Sequence, residues 1–242
     1  MFATRLQSID TCINAIQIWK AQLDSLSTEE IAKLEISLDS SERLRAARFH
    51  FEQDRKHYIG SRGLLRHLIG NHLNVSPADL IFEYGAHGKP ALTAEFSNDK
   101  TLCFNLSHSA GWAMFALAWD REVGIDLESN ARLQRDHDEL LGLASRILSE
   151  RELAVWKALP DNAARETAFL RAWTRKEAYA KARGQGLFAN LTSVEVILDA
   201  AAPDPSLILH SSAEEGVHDW TLHDLPAPDG FAAAVAVVQL TV

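Results

Sequence analysis

In Val123-Gly124-Ile125-Asp126-Leu127-Glu128 apolar and polar residues alternate, a period of two that sends Val123, Ile125 and Leu127 to one face of a strand and Asp126 and Glu128 to the other. Two carboxylates side by side repel, and a cation between them relieves that repulsion, although a solvated strand end tolerates the same pair. Further along, Trp173-Thr174-Arg175-Lys176-Glu177-Ala178-Tyr179-Ala180-Lys181 sets Glu177 and Lys181 four apart on one helical face, with Trp173 a turn earlier. On a bare surface this is an ordinary ion pair. In a site it supplies a third carboxylate and an ammonium for phosphate charge. Three carboxylates without clustered Cys or His suit a hard, oxygen-seeking ion, and magnesium typically keeps waters while binding substrate phosphates.

Of the ten histidines, His108 stands apart because it follows Phe104-Asn105-Leu106-Ser107, a polar cluster closing a strand, where an imidazole serves structure or meets an anion. Upstream, Arg43, Arg45, Arg48, Arg55, Lys56, Arg62 and Arg66 concentrate positive charge in a chain of net charge −9. Such a stretch is either a solvated face paired with Glu42, Glu52 and Asp54 or a site for a polyanionic small molecule. The overall negative charge opposes non-specific binding to nucleic acid and to anionic membranes. No Walker loop, dinucleotide fingerprint or nucleophile elbow is present. Cys12 and Cys103 have neither the number nor the spacing of a disulfide framework or a zinc site.

These side chains need elements to hold them. A chain of 242 residues, 47% hydrophobic and 24% charged, has material for a sizeable core. The first strand is expected over 13–19, with helix starts at Ser27-Thr28-Glu29-Glu30 and Ser40-Ser41-Glu42. Apolar residues at helical spacing predict a helix from Asp54 to Leu73. A strand over Leu80 to Tyr84 then runs into the turn Gly85-Ala86-His87-Gly88-Lys89-Pro90. Leu102 to Leu106, Ala113 to Trp119 and Val123 to Glu128 read as an antiparallel meander.

Helices follow over Leu140 to Leu148, after the capping box Ser149 to Glu152, and over Glu166 to Ala182, the last stopped by Gly184-Gln185-Gly186. Strands at Val194 to Leu198, Leu207 to His210, Trp220 to Leu222 and Phe231 to Val238 complete the chain. Elements in blocks argue α+β over a doubly wound sheet. Two similar subdomains, 1–120 and 121–242, are expected. The N-terminus has no signal-peptide pattern and the apolar run Gly230 to Val242 is too short for a membrane span, so a cytoplasmic protein without a membrane anchor is expected.

Together, Phe104-Asn105-Leu106-Ser107-His108-Ser109, Val123 to Glu128 and Trp173 to Leu187, with Gly88-Lys89-Pro90 and the basic stretch upstream, resemble the signatures of the surfactin-type (Sfp-type) 4′-phosphopantetheinyl transferases in order and spacing. The resemblance covers roughly residues 40 to 190. It implies two α+β subdomains related by a pseudo-twofold axis, with coenzyme A in the cleft between them. It implies transfer of phosphopantetheine to a serine of an apo acyl or peptidyl carrier protein, by a monomer, with release of 3′,5′-ADP.

By that resemblance Asp126, Glu128 and Glu177 would hold magnesium, and Lys181 and His108 would contact the phosphates. Arg45 and Arg48 match basic positions near the 3′-phosphate, while the Tyr84 to Lys89 loop (Tyr84, His87, Gly88 and Lys89) with Asn105 and Ser107 would border the adenosine. Glu177, or a water it orients, would take the serine proton, so Glu177, Asp126 and Lys181 form the expected catalytic group. Leu127 stands where some members place a polar or acidic residue, and its side chain faces away from the carboxylate pair. Leu187 and Phe188, just past the helix, are expected either to dock the carrier or to close the core. Two other functions use the same groups: a non-catalytic coenzyme A binding module, whose mark would be a missing carboxylate, and a magnesium-dependent nucleotide pyrophosphate hydrolase.

Overall fold

The protein is described by a computed structural model, which covers residues 2, 4–10, 13, 16–97, 99–133, 137–184, 191–198, 206–207, 209–210 and 220–238. Its first half opens with strands β1 (Gln7–Ile9) and β2 (Ile16–Gln22). Helices α1 (Thr28–Ile36), α2 (Ser40–Ala46) and α3 (Glu52–Leu73) follow. Ser27 and Asp39 cap α1 and α2 in full capping boxes with Glu30 and Glu42, each satisfying otherwise orphaned amide donors. α3 ends on Asn74 in the left-handed region, φ 54°, which asparagine tolerates better than most residues.

Beyond α3 the chain forms the hairpin β3 (Phe82–Tyr84) and β4 (Pro90–Leu92), then β5 (Leu102–Ser109), β6 (Trp112–Trp119) and β7 (Val123–Ser129). Helices α4 (His137–Ile147), α5 (Glu150–Lys157) and α6 (Asn162–Ala182) come next. The described chain closes with β8 (Val194–Glu195), β9 (Ser206–Leu207), β10 (Leu209–His210), β11 (Trp220–Asp224) and β12 (Phe231–Val238). The architecture is α+β.

The expected meander of three strands breaks after its second member. β5 and β6 pair with each other in the sheet β1-β2-β6-β5, whereas β7 leaves for the sheet β7-β12-β11-β9. The reason is visible in the side chains. Val123, Ile125 and Leu127 are fully buried and share an apolar cluster with Ile16, Ile18, Met114 and Ala116 of the first sheet and Ala233, Val235 and Val237 of β12. That inner face is thus covered by the other sheet rather than by a neighbour in the same one. A second cluster fills the space between α3, α1 and the outer face of the first sheet, with Leu64, Leu65, Leu68, Phe104 and Phe115 among its members. A third packs α6, α4 and α5 on the second sheet around Trp156, Phe169 and Leu222. The order is helix, sheet, sheet, helix.

β1 carries too few alternating apolar residues to be seen in sequence and was not expected, whereas β8 falls within the expected strand Val194 to Leu198, and the expected strand Leu207 to His210 is divided between β9 and β10. Gln185 and Gly186 of the expected helix stop, and Leu187 and Phe188, lie outside the described residues. No helix among the described residues is long and apolar enough to cross a membrane.

Candidate active site

The site is built where α6 lies on β7. An added Cβ at Gly124 would stand 2.1 Å from the Ala178 carbonyl oxygen and 2.3 Å from the Ala182 amide nitrogen, so only glycine lets the helix backbone rest directly on the strand. That contact brings Asp126, the next residue on the same face, under Glu177 and Lys181 of the helix. Lys181 Nζ donates to Asp126 Oδ1 at 2.5 Å and to Ser107 Oγ at 2.9 Å. The Ser107 hydroxyl in turn donates to Asp126 Oδ1 at 3.0 Å.

Asp126 is only 2% exposed, yet its Oδ2 is buried with no hydrogen-bond partner. A buried, unpaired carboxylate oxygen costs free energy that a cation recovers, so this oxygen is a donor suited to a hard cation. Glu177 is 7% exposed. Burial above all, with the negative charges of Asp126 and Glu128 and against the pull of Lys181, pushes its carboxyl from 4.5 up to about 7. Among the described residues, no group of three Asp, Glu, His or Cys is closed tightly enough to hold a metal. The Lys181 ammonium takes up part of the negative charge instead.

The neighbouring strand β5 runs parallel to β7 across the seam between the two sheets, and side chains rather than a backbone ladder join them. Asn105 Oδ1 accepts the Ile125 N–H at 3.0 Å, Ser107 meets Asp126, and Ser109 Oγ donates to Glu128 Oε2 at 3.2 Å. Asn105 thus sets the register of the two strands. The same period of two that aims Asn105, Ser107 and Ser109 at β7 sends His108 to the other face, in line with Phe104 and Leu106 of the α3 core. His108 is exposed there.

A cleft of about 640 Å³ opens beside the C-terminal end of α6, lined among others by Tyr84, Lys89, Phe104, Tyr179, Arg183 and Trp220. Lys89 reaches across it, donating to the Ala182 carbonyl at 2.6 Å and to Glu122. Arg45, Arg48 and Tyr84 line a second, shallower cleft with Leu44, Phe49 and Tyr58, so Tyr84 is shared by both. His87 and Gly88 sit on the exposed hairpin turn, Gly88 at φ 81°, and line neither of these clefts.

The basic stretch divides into two kinds of residue. Arg66 is fully buried, donating to Glu42 at 2.7 Å, to Asp39 at 2.8 Å and to the carbonyls of Pro77 and Leu80. Arg62 pairs with Glu42 and donates to the Tyr84 hydroxyl at 2.6 Å. Both guanidinium groups lie over the Phe82 ring. Arg43 caps the end of α1 through the Leu38 and Ile36 carbonyls, and Arg55 bonds Glu35 at 2.7 Å. Arg45 and Arg48 remain on the cleft wall, Arg45 over the Tyr58 ring.

Sequence reasoning did not single out Ser109, Gly124, Tyr179, Arg183 or Trp220. The strand period of two placed Ser109 on the face of Ser107, and that signal was available. Arg183 and Trp220 enter the cleft by tertiary packing that no local pattern carries.

Comparison with known proteins gives one consistent result. Residues 122–236 match the family model described as the 4′-phosphopantetheinyl transferase superfamily, and residues 24–119 match 4′-phosphopantetheinyl transferase, N-terminal. The chain is 36% identical over 222 residues to the 4′-phosphopantetheinyl transferase HetI of Nostoc sp., an alignment covering 92% of this chain and 87% of that protein. A putative 4′-phosphopantetheinyl transferase of Synechocystis sp. is 32% identical over 87% of this chain and 79% of its own length. The L-aminoadipate-semialdehyde dehydrogenase-phosphopantetheinyl transferase of Xenopus laevis is 25% identical over 98% of this chain and 80% of its own.

Proposed function

The chain belongs to the 4′-phosphopantetheinyl transferase superfamily, and from that premise we propose that it is a magnesium-dependent, Sfp-type member acting as a monomer on an apo acyl or peptidyl carrier protein. Its reaction moves the 4′-phosphopantetheine moiety of coenzyme A onto a serine of the carrier and releases 3′,5′-ADP. The two sheets divide near residue 120, which supports subdomains 1–120 and 121–242 with coenzyme A between them. Lys181 and Glu177 come from the second and Ser107 from the first, so one chain furnishes both walls. Cys103 is a free thiol, in keeping with a reducing cytoplasm.

One observation carries the reading. Asp126 is gripped from both halves, by Ser107 and Lys181, while its second oxygen is buried and unpaired. Asp126 through that oxygen, with Glu128 and Glu177, would hold magnesium, which when bound supplies positive charge to the pyrophosphate as its P–O bond breaks.

The chain's own groups do the rest. Lys181, only 29% exposed, presents its ammonium at the mouth of the carboxylate pocket, where it can exchange Asp126 for a phosphate oxygen. Glu177 can accept a serine proton directly or through a water it orients. The serine oxygen then bonds the phosphorus next to pantetheine, and the 3′,5′-ADP oxygen leaves. Tyr84, Lys89 and Ser107 would border the adenosine, and Arg45 and Arg48 the 3′-phosphate.

Intact-mass spectrometry of an apo carrier protein incubated with the enzyme, coenzyme A and magnesium tests this. The carrier should gain one phosphopantetheine, and chelation should stop it. Consumption of coenzyme A without carrier would point to a hydrolase instead, and binding without turnover to a non-catalytic module.

A further inference from the structure

We propose that Ser109 is a positioning residue that fixes the carboxylate of Glu128. The inference rests on the metal role proposed above for Glu128. Ser109 is 2% exposed at the end of β5, and its hydroxyl oxygen accepts the Ser129 N–H at 3.3 Å. A serine hydroxyl carries one proton. With a lone pair engaged by that amide, the proton is delivered to Glu128 Oε2 at 3.2 Å.

The two contacts make a local clamp. Ser129 follows Glu128 on β7, so Ser109 holds both the backbone just past the glutamate and the carboxylate itself. Asp126 has two donors on one oxygen, Ser107 and Lys181, a short side chain and near-complete burial. Glu128 is half-buried and has one more rotatable bond, so more conformational freedom must be removed to hold its oxygens in place. Ligand carboxylates are commonly oriented by such outer hydrogen bonds, and removal of one weakens metal binding roughly ten- to a hundredfold.

The seam also explains why the donor comes from β5. Asn105, Ser107 and Ser109 lie on one strand face and address Ile125, Asp126 and Glu128 in turn. Asn105 fixes the register, and the two serines then arrive opposite the two carboxylates.

The test is a titration of Mn²⁺, followed by electron paramagnetic resonance, in the presence of coenzyme A. It uses wild type, Ser109→Ala, Glu128→Ala and the double variant, with Ser109→Thr as a donor-retaining control. Ser109→Ala should bind Mn²⁺ about tenfold more weakly, with coenzyme A affinity in chelator unchanged, and the double variant should bind no more weakly than Glu128→Ala. Ser109→Thr should recover part of the loss. Mn²⁺ affinity in Ser109→Ala within twofold of wild type, or additive losses in the double variant, would overturn the role of Ser109 alone. Failure of wild type to bind Mn²⁺ would overturn the metal reading and this inference with it.

Discussion

Glu177 is a residue whose chemistry departs far from its ordinary state. In the folded protein its carboxyl is raised from 4.5 to about 7, so between those pH values the folded chain binds a proton that the unfolded chain has lost. Stability must then fall as pH rises through that window, by roughly 3 to 4 kcal/mol at about 1.4 kcal/mol per pKa unit. Replacing the group by the neutral Glu177→Gln should remove this slope. Melting in chelator at pH 5 and pH 8 should therefore show the variant gaining on wild type at the higher pH, and parallel curves would contradict the burial argument. Two neighbouring lysines in the same motif do opposite things. Lys176 is fully buried and donates to Glu152 at 2.5 Å and to the Ile147 and Leu191 carbonyls. Lys176→Ala should cost about 3–5 kcal/mol by leaving the Glu152 charge buried without its counter-ion, held only by the Ser149 and Val196 N–H groups, read as a large drop in denaturant midpoint. Lys181→Ala also takes the counter-ion from a buried carboxylate, Asp126, but its ammonium is partly exposed, so the midpoint should fall less than in Lys176→Ala while transfer collapses.

At the scale of elements, the decisive feature is the contact of α6 with β7. Gly124→Ala forces a methyl against backbone atoms at 2.1 and 2.3 Å, which cannot move aside as a side-chain tip can. The helix must lift, carrying Glu177 and Lys181 away from Asp126. Such overpacking should cost roughly 1–3 kcal/mol and most of the activity, although no charged group has been touched. Gly142→Ala offers the contrast. That glycine lies inside α4 with nothing within 4 Å of the new methyl, so the change should stabilise by about 0.5–1 kcal/mol. A midpoint that fell equally in both would argue against the close approach.

The same element explains what the sequence made legible. The alternation in β7 and the i,i+4 pair in α6 are local periods, and both survived folding as read, as did the Ser149–Glu152 capping box and the long helix α3. The departure of β7 from its hairpin neighbours was not legible, because strand pairing depends on which sheet covers the Val123, Ile125 and Leu127 face. Nor was the burial of Arg62 and Arg66. A run of arginines reads alike in sequence whether it faces water or neutralises a glutamate brought from another helix, and here Glu42 of α2 made the difference.

Across the whole molecule, a chain of net charge −9 has few cations to spare for the coenzyme A phosphates proposed above. Arg62 and Arg66 are consumed within the first half, which leaves Arg45 and Arg48 on one cleft, Lys89 across the other, and Lys181 at the carboxylates. Tyr84 lines both clefts. Coenzyme A bound as proposed would meet different cations at its two ends, and selective removal of one ligand charge should separate them. Charge-assisted contacts to phosphate contribute about 1.5–3 kcal/mol each, or roughly ten- to a hundredfold in affinity. In calorimetric titrations Arg48→Ala should therefore bind coenzyme A at least tenfold more weakly than wild type, yet bind 3′-dephospho-coenzyme A as wild type does. Lys181→Ala should lose affinity for both ligands alike, because the pyrophosphate is common to them. Equal losses for both ligands in Arg48→Ala would remove that arginine from the 3′-phosphate. Repeating the titration with Arg45→Ala then decides whether the cation–π contact with Tyr58 reserves Arg45 for the wall of the cleft, in which case its loss would be small for either ligand.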